Sequence, residues 1–371
     1  PTNGVTAAQA TNISTAVVQS IAGTGLAAFT NHLFSLAVNF NTNTPIPWIV
    51  DEEFDTDADD FGHLAVVHAM MNMGLVNIVG VCSVAGETNA PIAAKSVNHY
   101  FGRPNIPVGK INRTTLVGNQ TSVQQYIRTN YTDVHFTNGQ AVVYEDAVVV
   151  YRRALAAAAN KSVVITVGGY PANINNLWNS AADTNSALPG WQLMTNKIKE
   201  LVVLGGNYSY GTNTNSAGYD YNWYVEPNAG VTNSALVFNS ISNMTVTFVE
   251  SGRTVPKTGF SFLSQAESSP MRLAYLKVLK ENVGVTDVML GRECWGQMAA
   301  LWPLFGTQLG LTSVTGRNTI VTSGTNYWTN NVSGPQRYVY NDTSLLGSNK
   351  LWRGVSEMEG VSSIGLPAGQ P

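Results

Sequence analysis

Residues 46–63 read IPWIVDEEFDTDADDFGH, and the fold is decided there. Ile46–Val50 is a short apolar strand running straight into Asp51, Glu52, Glu53, Asp55, Asp57, Asp59 and Asp60. A helix over Gly62–Asn72 and a second apolar strand, Val76–Val84, follow. That strand–loop–helix–strand order predicts a parallel sheet. The rhythm recurs in helix Glu145–Asn160, strand Val163–Val167 and a helix from Ile174. It returns in helix Met194–Glu200 with strand Leu201–Leu204, and in helix Met271–Asn282 with strand Val285–Leu290. The expectation is an α/β fold, a mostly parallel central sheet with flanking helices. Ligands in such sheets bind beyond the carboxyl ends of the strands. The loops after Val50, Val84, Val167, Leu204 and Leu290 are therefore the ones to hold a site.

Outside this body the pattern changes. Thr6–Ala22 has helical apolar spacing at Ile13, Val17 and Ile21, and Asn39–Pro47 reads as a proline-punctuated hinge. From Gly306 onward, Thr312–Thr322 and Gln336–Tyr340 look like short strands among Asn, Gly and Ser turns, and Leu366–Pro371 reads as a tail. The expected organisation is an N-terminal helical extension over 1–45, a main domain over 46–305, and an irregular, β-rich C-terminal extension over 306–371.

Composition narrows the function. Lys and Arg number 20 against 23 Asp and Glu, and no basic block marks a nucleic-acid groove or an anionic membrane surface. The longest apolar stretches fall short of a bilayer span. Cys82 and Cys294 make no disulfide framework or zinc spacing. Only 12% of residues are charged. A surface solvated by Asn, Thr and Ser suits an extracellular, cell-surface or virion protein, and the N-terminal extension leaves room for a homo-oligomer or assembly through it.

Carboxylates as crowded as those of residues 51–60 repel unless a cation or a proton intervenes. Oxygen donors without nearby Cys or His suit calcium or magnesium better than zinc. An EF-hand fits poorly, because no helix precedes the run and its glycine and final glutamate are missing.

The run DEEFDTDADD (51–60) followed by FGHLA resembles the opening motif of nucleoside hydrolases in its longer form, D-T-D-x-G-x-D-x-D-D. Asp51, Asp57, Asp59 and Asp60 fall on the family's acidic positions, with Glu53 in place of an Asp. VGVCSVAG (79–86) is similar to the family's second strand, although Glu87 stands where Asn is common. YFGRPNIPVG (100–109) is similar to the segment after it. VITVGGYPAN (164–173) resembles the central strand and its G-x-L-T-N turn, and LVVLGG (201–206) a strand ending in M-G-G. DYNWYVEP (220–227) resembles E-F-N-x-x-x-D-P. The resemblance spans residues 46–305.

It implies calcium-dependent hydrolysis of the N-glycosidic bond of a nucleoside or related ribosyl compound. Glu53, Asp57 and Asp60 divide the roles of metal ligand and general base. A backbone carbonyl near Val167 or Gly168 joins the calcium, and Asp220 and Asn222 hold the sugar hydroxyls. The family's last calcium ligand is an Asp after a late strand, where this chain reads GRECWGQ (291–297). Gly296 then stands where the Asp belongs, which leaves Glu293 to supply the carboxylate from upstream. No histidine acid is present in this loop, so stacking of the base on Trp295, or less securely Trp223, is the implied means of activating it. The alternative is a catalytically inactive descendant that serves as a binding or structural module of a cell surface or virion.

Overall fold

The computed structural model describes residues 44–364 apart from 55–56, 86–88, most of 114–135, 138–139, 209–219, 251–254, 280–290, 331–332 and 342–344. The N-terminal helix expected over 6–22, the strand expected over 285–290, Glu87 and the tail from 366 lie outside the described residues.

Among the described residues the main sheet has ten strands. In chain order they are β1 (Ile46–Glu52), β2 (Val76–Ser83), β3 (Val108–Lys110), β4 (Glu145–Asp146), β5 (Val163–Val167), β6 (Ile198–Leu204), β7 (Val246–Val249), β8 (Leu311–Ile320), β9 (Asn326–Asn330) and β10 (Gln336–Asn341). The helices that matter here are α1 (Asp59–Asn72), α2 (Ala90–Tyr100), α3 (Ala147–Ala157), α4 (Ala172–Trp178), α5 (Gly190–Lys197), α6 (Tyr221–Asn228), α7 (Pro270–Lys277), α8 (Trp295–Phe305) and α9 (Leu345–Ile364). Across the sheet the order is β9-β8-β10-β7-β6-β5-β1-β2-β3-β4. All neighbours from β10 to β4 run parallel; β8 is antiparallel to both β9 and β10.

The chain leaves β1 toward β2 and β3 on one side and later returns to β5 and β6 on the other. The β1/β5 boundary is therefore the switch point of the sheet, where the loops diverge and leave a crevice at the carboxyl ends. Asp51 is in register with Val167 across it.

Successive side chains on a strand point to opposite faces, and β1 follows that rule into the acidic run. Trp48 and Val50 belong to the core beneath α1, α2, α7, α8 and α9, while Ile49 belongs to the core on the face of α3, α4 and α5. The strand extends to Glu52, two residues past its expected end. Asp51 consequently points to the α3/α4 face and Glu52 to the α1 face, and both are buried.

Several expectations shift. Pro47, read as part of a hinge, lies inside β1. Residues Ile198–Glu200, read as the end of a helix, begin β6 instead, because Ile198 and Leu201 pack into the core from the strand. The region after Gly306 adds its strands to the main sheet: β10 pairs with β7, and β8 with β10. It also carries a helix that its Gly and Ser content disguised, α9, of 20 residues. Leu351, Val355 and Met358 recur at helical spacing and are fully buried against the main core. Among the described residues no helix is long and apolar enough to cross a membrane.

Candidate functional site

Asp51 accepts hydrogen bonds from the Tyr151 hydroxyl (2.7 Å) and the Asn173 amide (3.0 Å) on the α3/α4 face. Burial pushes its carboxyl up to about 7 in spite of those two donors. Asp51 is thus a buried strut joining β1 to α3 and α4.

Glu52, on the other face, is 1% exposed. Its Oε1 and His63 Nδ1 form a very short contact. His63 Nε2 lies 2.8 Å from the Thr166 hydroxyl, whose oxygen also accepts the Trp48 indole N–H at 3.1 Å. Burial lowers His63 to about 3, so the ring is neutral. Burial first, and then the charges of Asp59, Glu53 and Asp51, raise Glu52 well above the usual carboxylate range, against a side-chain hydrogen bond with Asp60. Glycines make room for it: a methyl group on Gly168 would overlap the Glu52 carboxyl, and one on Gly296 would sit 3.2 Å from Oε1 and 2.9 Å from His63 Cβ. Glu52 therefore occupies the space beside Gly296 that a longer side chain there would need.

Glu53 lies at the β1/β5 boundary itself. Its Cγ is 2.6 Å from where a Cβ on Gly169 would stand, and Val84 Cγ1, at the end of β2, is 2.8 Å from the same point. The next residue, Phe54, takes a left-handed backbone (φ 54°) that side chains rarely adopt. Its ring, fully buried and packed edge-on to Phe61 at 5.6 Å, holds that turn. One residue along the β5 loop, the Asn222 amide of α6 donates to the Gly168 carbonyl at 2.6 Å. Glu53 and Asn222 thus flank one Gly168–Gly169 turn. Asp220, buried, precedes the first turn of α6. Arg113 closes this side, donating to Glu226 of α6 (2.7 Å) and to the Val84 carbonyl (3.1 Å), with Tyr170 under its guanidinium at 5.5 Å.

The far end of the acidic run is built differently. Arg292 lies in a two-residue strand, Arg292–Glu293, paired with Lys257–Thr258. Its Nε donates to Asp57 Oδ1 at 2.7 Å and a second nitrogen to Asp57 Oδ2, forming a fork. The remaining terminal nitrogen donates to Glu293 Oε2 at 2.8 Å, and the guanidinium lies 4.8 Å over the Trp295 ring. Lys257 reaches Glu293 at 3.5 Å. Asp59 accepts the Gly296 backbone N–H at 2.9 Å. Burial, then the Asp57 charge, raises Asp59 well above its ordinary value, while the Gly296 N–H and Arg292 oppose the rise.

Behind this corner, Glu359 of α9 ties the pieces together. It accepts from the Thr258 hydroxyl (2.7 Å), the Gly259 N–H (2.8 Å) and the Gln297 amide (3.1 Å). It is fully buried, and burial pushes it up to about 7.

The residues singled out by the motifs therefore separate. Glu53, the end of β5 at Val167, and Asn222 come together at the switch point, with Asp60 reaching the same place through Glu52 and Gly168. Asp57 and Glu293, expected as calcium ligands and Asp57 also as a general base, come together instead around Arg292. Both carboxylates are already held by a guanidinium that the motif does not include. Trp295 is half-buried beside Arg292, and Trp223 is core, packed against Phe238 and Phe248. Among the described residues no three His, Cys, Asp or Glu side chains converge as a metal cage.

No protein-family model matches the chain, and no curated protein matches it by sequence. Solved structures do match by shape. An inosine-uridine preferring nucleoside hydrolase from Bacillus anthracis superposes with a TM-score of 0.55 at 17% identity, over 84% of this chain and 99% of that one. The fold is a nucleoside hydrolase fold. A purine-preferring ribonucleoside hydrolase from Gardnerella vaginalis superposes at 0.58 with 14% identity, over 86% of this chain and 99% of that one. The type III effector protein XopQ, solved in complex with adenosine diphosphate ribose, gives 0.61 at 12% identity, over 91% of this chain and 99% of that one. Strand pairing joins β8, β9 and β10 to the same sheet as the acidic run.

Proposed function

We propose that this chain hydrolyses the N-glycosidic bond of a nucleoside or related ribosyl compound at the β1/β5 corner. The observation that carries the reading is the placement of Glu53 and Asn222 on either side of the Gly168–Gly169 turn. Cleavage passes through an oxocarbenium-like sugar cation and needs a carboxylate near it and a base for water. In this reading Glu53 takes the proton from water, and Asn222 and Asp220 hold the sugar hydroxyls.

Of the residues expected to hold calcium, Asp57 and Glu293 are paired with Arg292. Hard-cation sites need six or more oxygens, which leaves Glu53, Asp60 and the Val167 end of β5 as the donors that fit such an ion. No step of the proposed reaction runs through a metal.

A second reading, ribosyl binding without hydrolysis, is favoured by Gly296 in place of a carboxylate and by the nucleotide-sugar complex of the XopQ relative. Chromatographic base release from inosine, uridine and adenosine, alongside calorimetry with adenosine diphosphate ribose, separates the two. Base release supports hydrolysis. Binding without release moves the assignment to the second reading, and neither would sink both.

A further inference from the structure

Arg292 makes a complete set of contacts around a place where the sequence pattern asks for a divalent ion. Its planar fork matches both oxygens of Asp57, its other terminal nitrogen reaches Glu293, and its face lies on Trp295. Such bidentate, charge-assisted pairing is the geometry in which Arg binds carboxylates most firmly. The guanidinium and Asp57 are about one-fifth exposed and Glu293 about one-quarter. Burial disfavours its charge, yet the hydrogen bonds and charge of Asp57, with Asp59 and Glu293 behind, outweigh that and keep it protonated. A calcium ion taking Asp57 or Glu293 as ligands would have to expel Arg292 and leave a largely buried guanidinium without an anion. Removing one partner of such a pair is strongly unfavourable.

We propose that Arg292 is the resident cation of this rim, neutralising Asp57 and Glu293 so that the rim folds and takes its ribosyl ligand with no divalent metal on those two acids. The ligand half of the statement rests on the reading above; the charge half does not, and it is tested without substrate. Glu293 is then a partner of Arg292 rather than a substitute for the acid missing at Gly296. The space beside Gly296 is filled by Glu52.

The test uses the full chain and calcium chloride, with melting followed by fluorescence and binding by calorimetry. The unaltered protein should show no calcium response, in melting temperature or binding heat, that Asp57→Asn removes. Arg292→Met removes the guanidinium from Asp57 and leaves Glu293 with Lys257 alone, so its melting temperature should fall by a few degrees in chelator and recover when calcium is added. Asp57→Asn combined with Arg292→Met removes acid and cation together; it should fold and show no calcium response beyond that of the unaltered protein, which keeps the test open if the single variant is insoluble. A calcium response of the unaltered protein that Asp57→Asn abolishes would overturn the proposal. An Arg292→Met protein that folds but gains no calcium response would overturn it too. Failure of the ribosyl reading shows separately, as absence of both base release and nucleotide-sugar binding in either buffer, with the melting comparison untouched.

Discussion

At the β1 end of the acidic run, Glu53 and the Asn222-bound Gly168 carbonyl converge on one turn at the switch point of the sheet. At the α1 end, Asp57 is gripped on both oxygens by Arg292, and Asp59 is held by the Gly296 N–H. The residue types are the same and the sequence separation is small, yet the surroundings differ: at the second place Arg292 forks directly onto an acid of the run, while Arg113 beside the first donates to Glu226 and the Val84 carbonyl. A run of carboxylates is therefore not one site. Its chemistry is divided by strand alternation, which sends Asp51 and Glu52 to opposite faces, and by which acids the rest of the chain has already neutralised.

Substitutions that break the first corner should act on turnover. Glu53→Gln should lower base release by at least ~100-fold with little change in melting, the range for losing a general base. Asn222→Ala removes the hydrogen bond to Gly168 and the sugar contact, and should weaken ribosyl affinity by roughly tenfold or more, read by calorimetry. Substitutions that break the second corner should act on stability. Asp57→Ala leaves Arg292 short of its main partner, at a cost of about 1–3 kcal/mol for a pair that is mostly buried, measured by urea denaturation. Base release by that variant should stay within about tenfold of the unaltered chain.

Glu359 sharpens the comparison through pH. Its folded value of about 7 lies above the ordinary 4.5, so the folded chain keeps a proton that the unfolded chain gives up across that window. Its contribution is present below about pH 4.5 and is lost as pH rises to 7, at most about 3 kcal/mol by linkage. Asp51, at about 7 against 3.8, acts with the same sign. Unfolding at pH 5 and pH 8 should show Glu359→Gln with a shallower loss than the unaltered chain. The smallest effect is expected at Glu293, which is about one-quarter exposed. Glu293→Ala should cost no more than ~1 kcal/mol and leave turnover within about threefold, where the motif alone points to a loss of ~100-fold.

Much of this architecture is legible in the amino-acid order. Strand Val163–Val167 falls where apolar β-branched periodicity puts it, and the acidic run and the turn after β5 lie at strand ends, as a parallel sheet requires, while the Asp220–Asn222 motif opens α6. Arg292 escapes the motif because the family pattern asks for acids in GRECWGQ and is silent on the one base beside them; a guanidinium next to Glu293, with an acidic run elsewhere in the chain to receive it, is the available signal. Glu52 and His63 are hidden for a different reason. Their pairing depends on β1 continuing two residues past its apolar stretch, and hydropathy ends a strand where the charges begin. Helix α9 is lost among Gly and Ser residues, because its buried stripe is narrow.

The most direct test of the central claim is a crystal structure of the chain with adenosine diphosphate ribose or a non-cleavable nucleoside analogue. The account predicts ribose at the β1/β5 corner, its hydroxyls within hydrogen-bonding distance of Asn222 and Asp220 and its anomeric carbon facing Glu53, with Arg292 still forked onto Asp57. A ligand bound elsewhere, or ribose seated at that corner with its anomeric carbon turned away from Glu53, would contradict it.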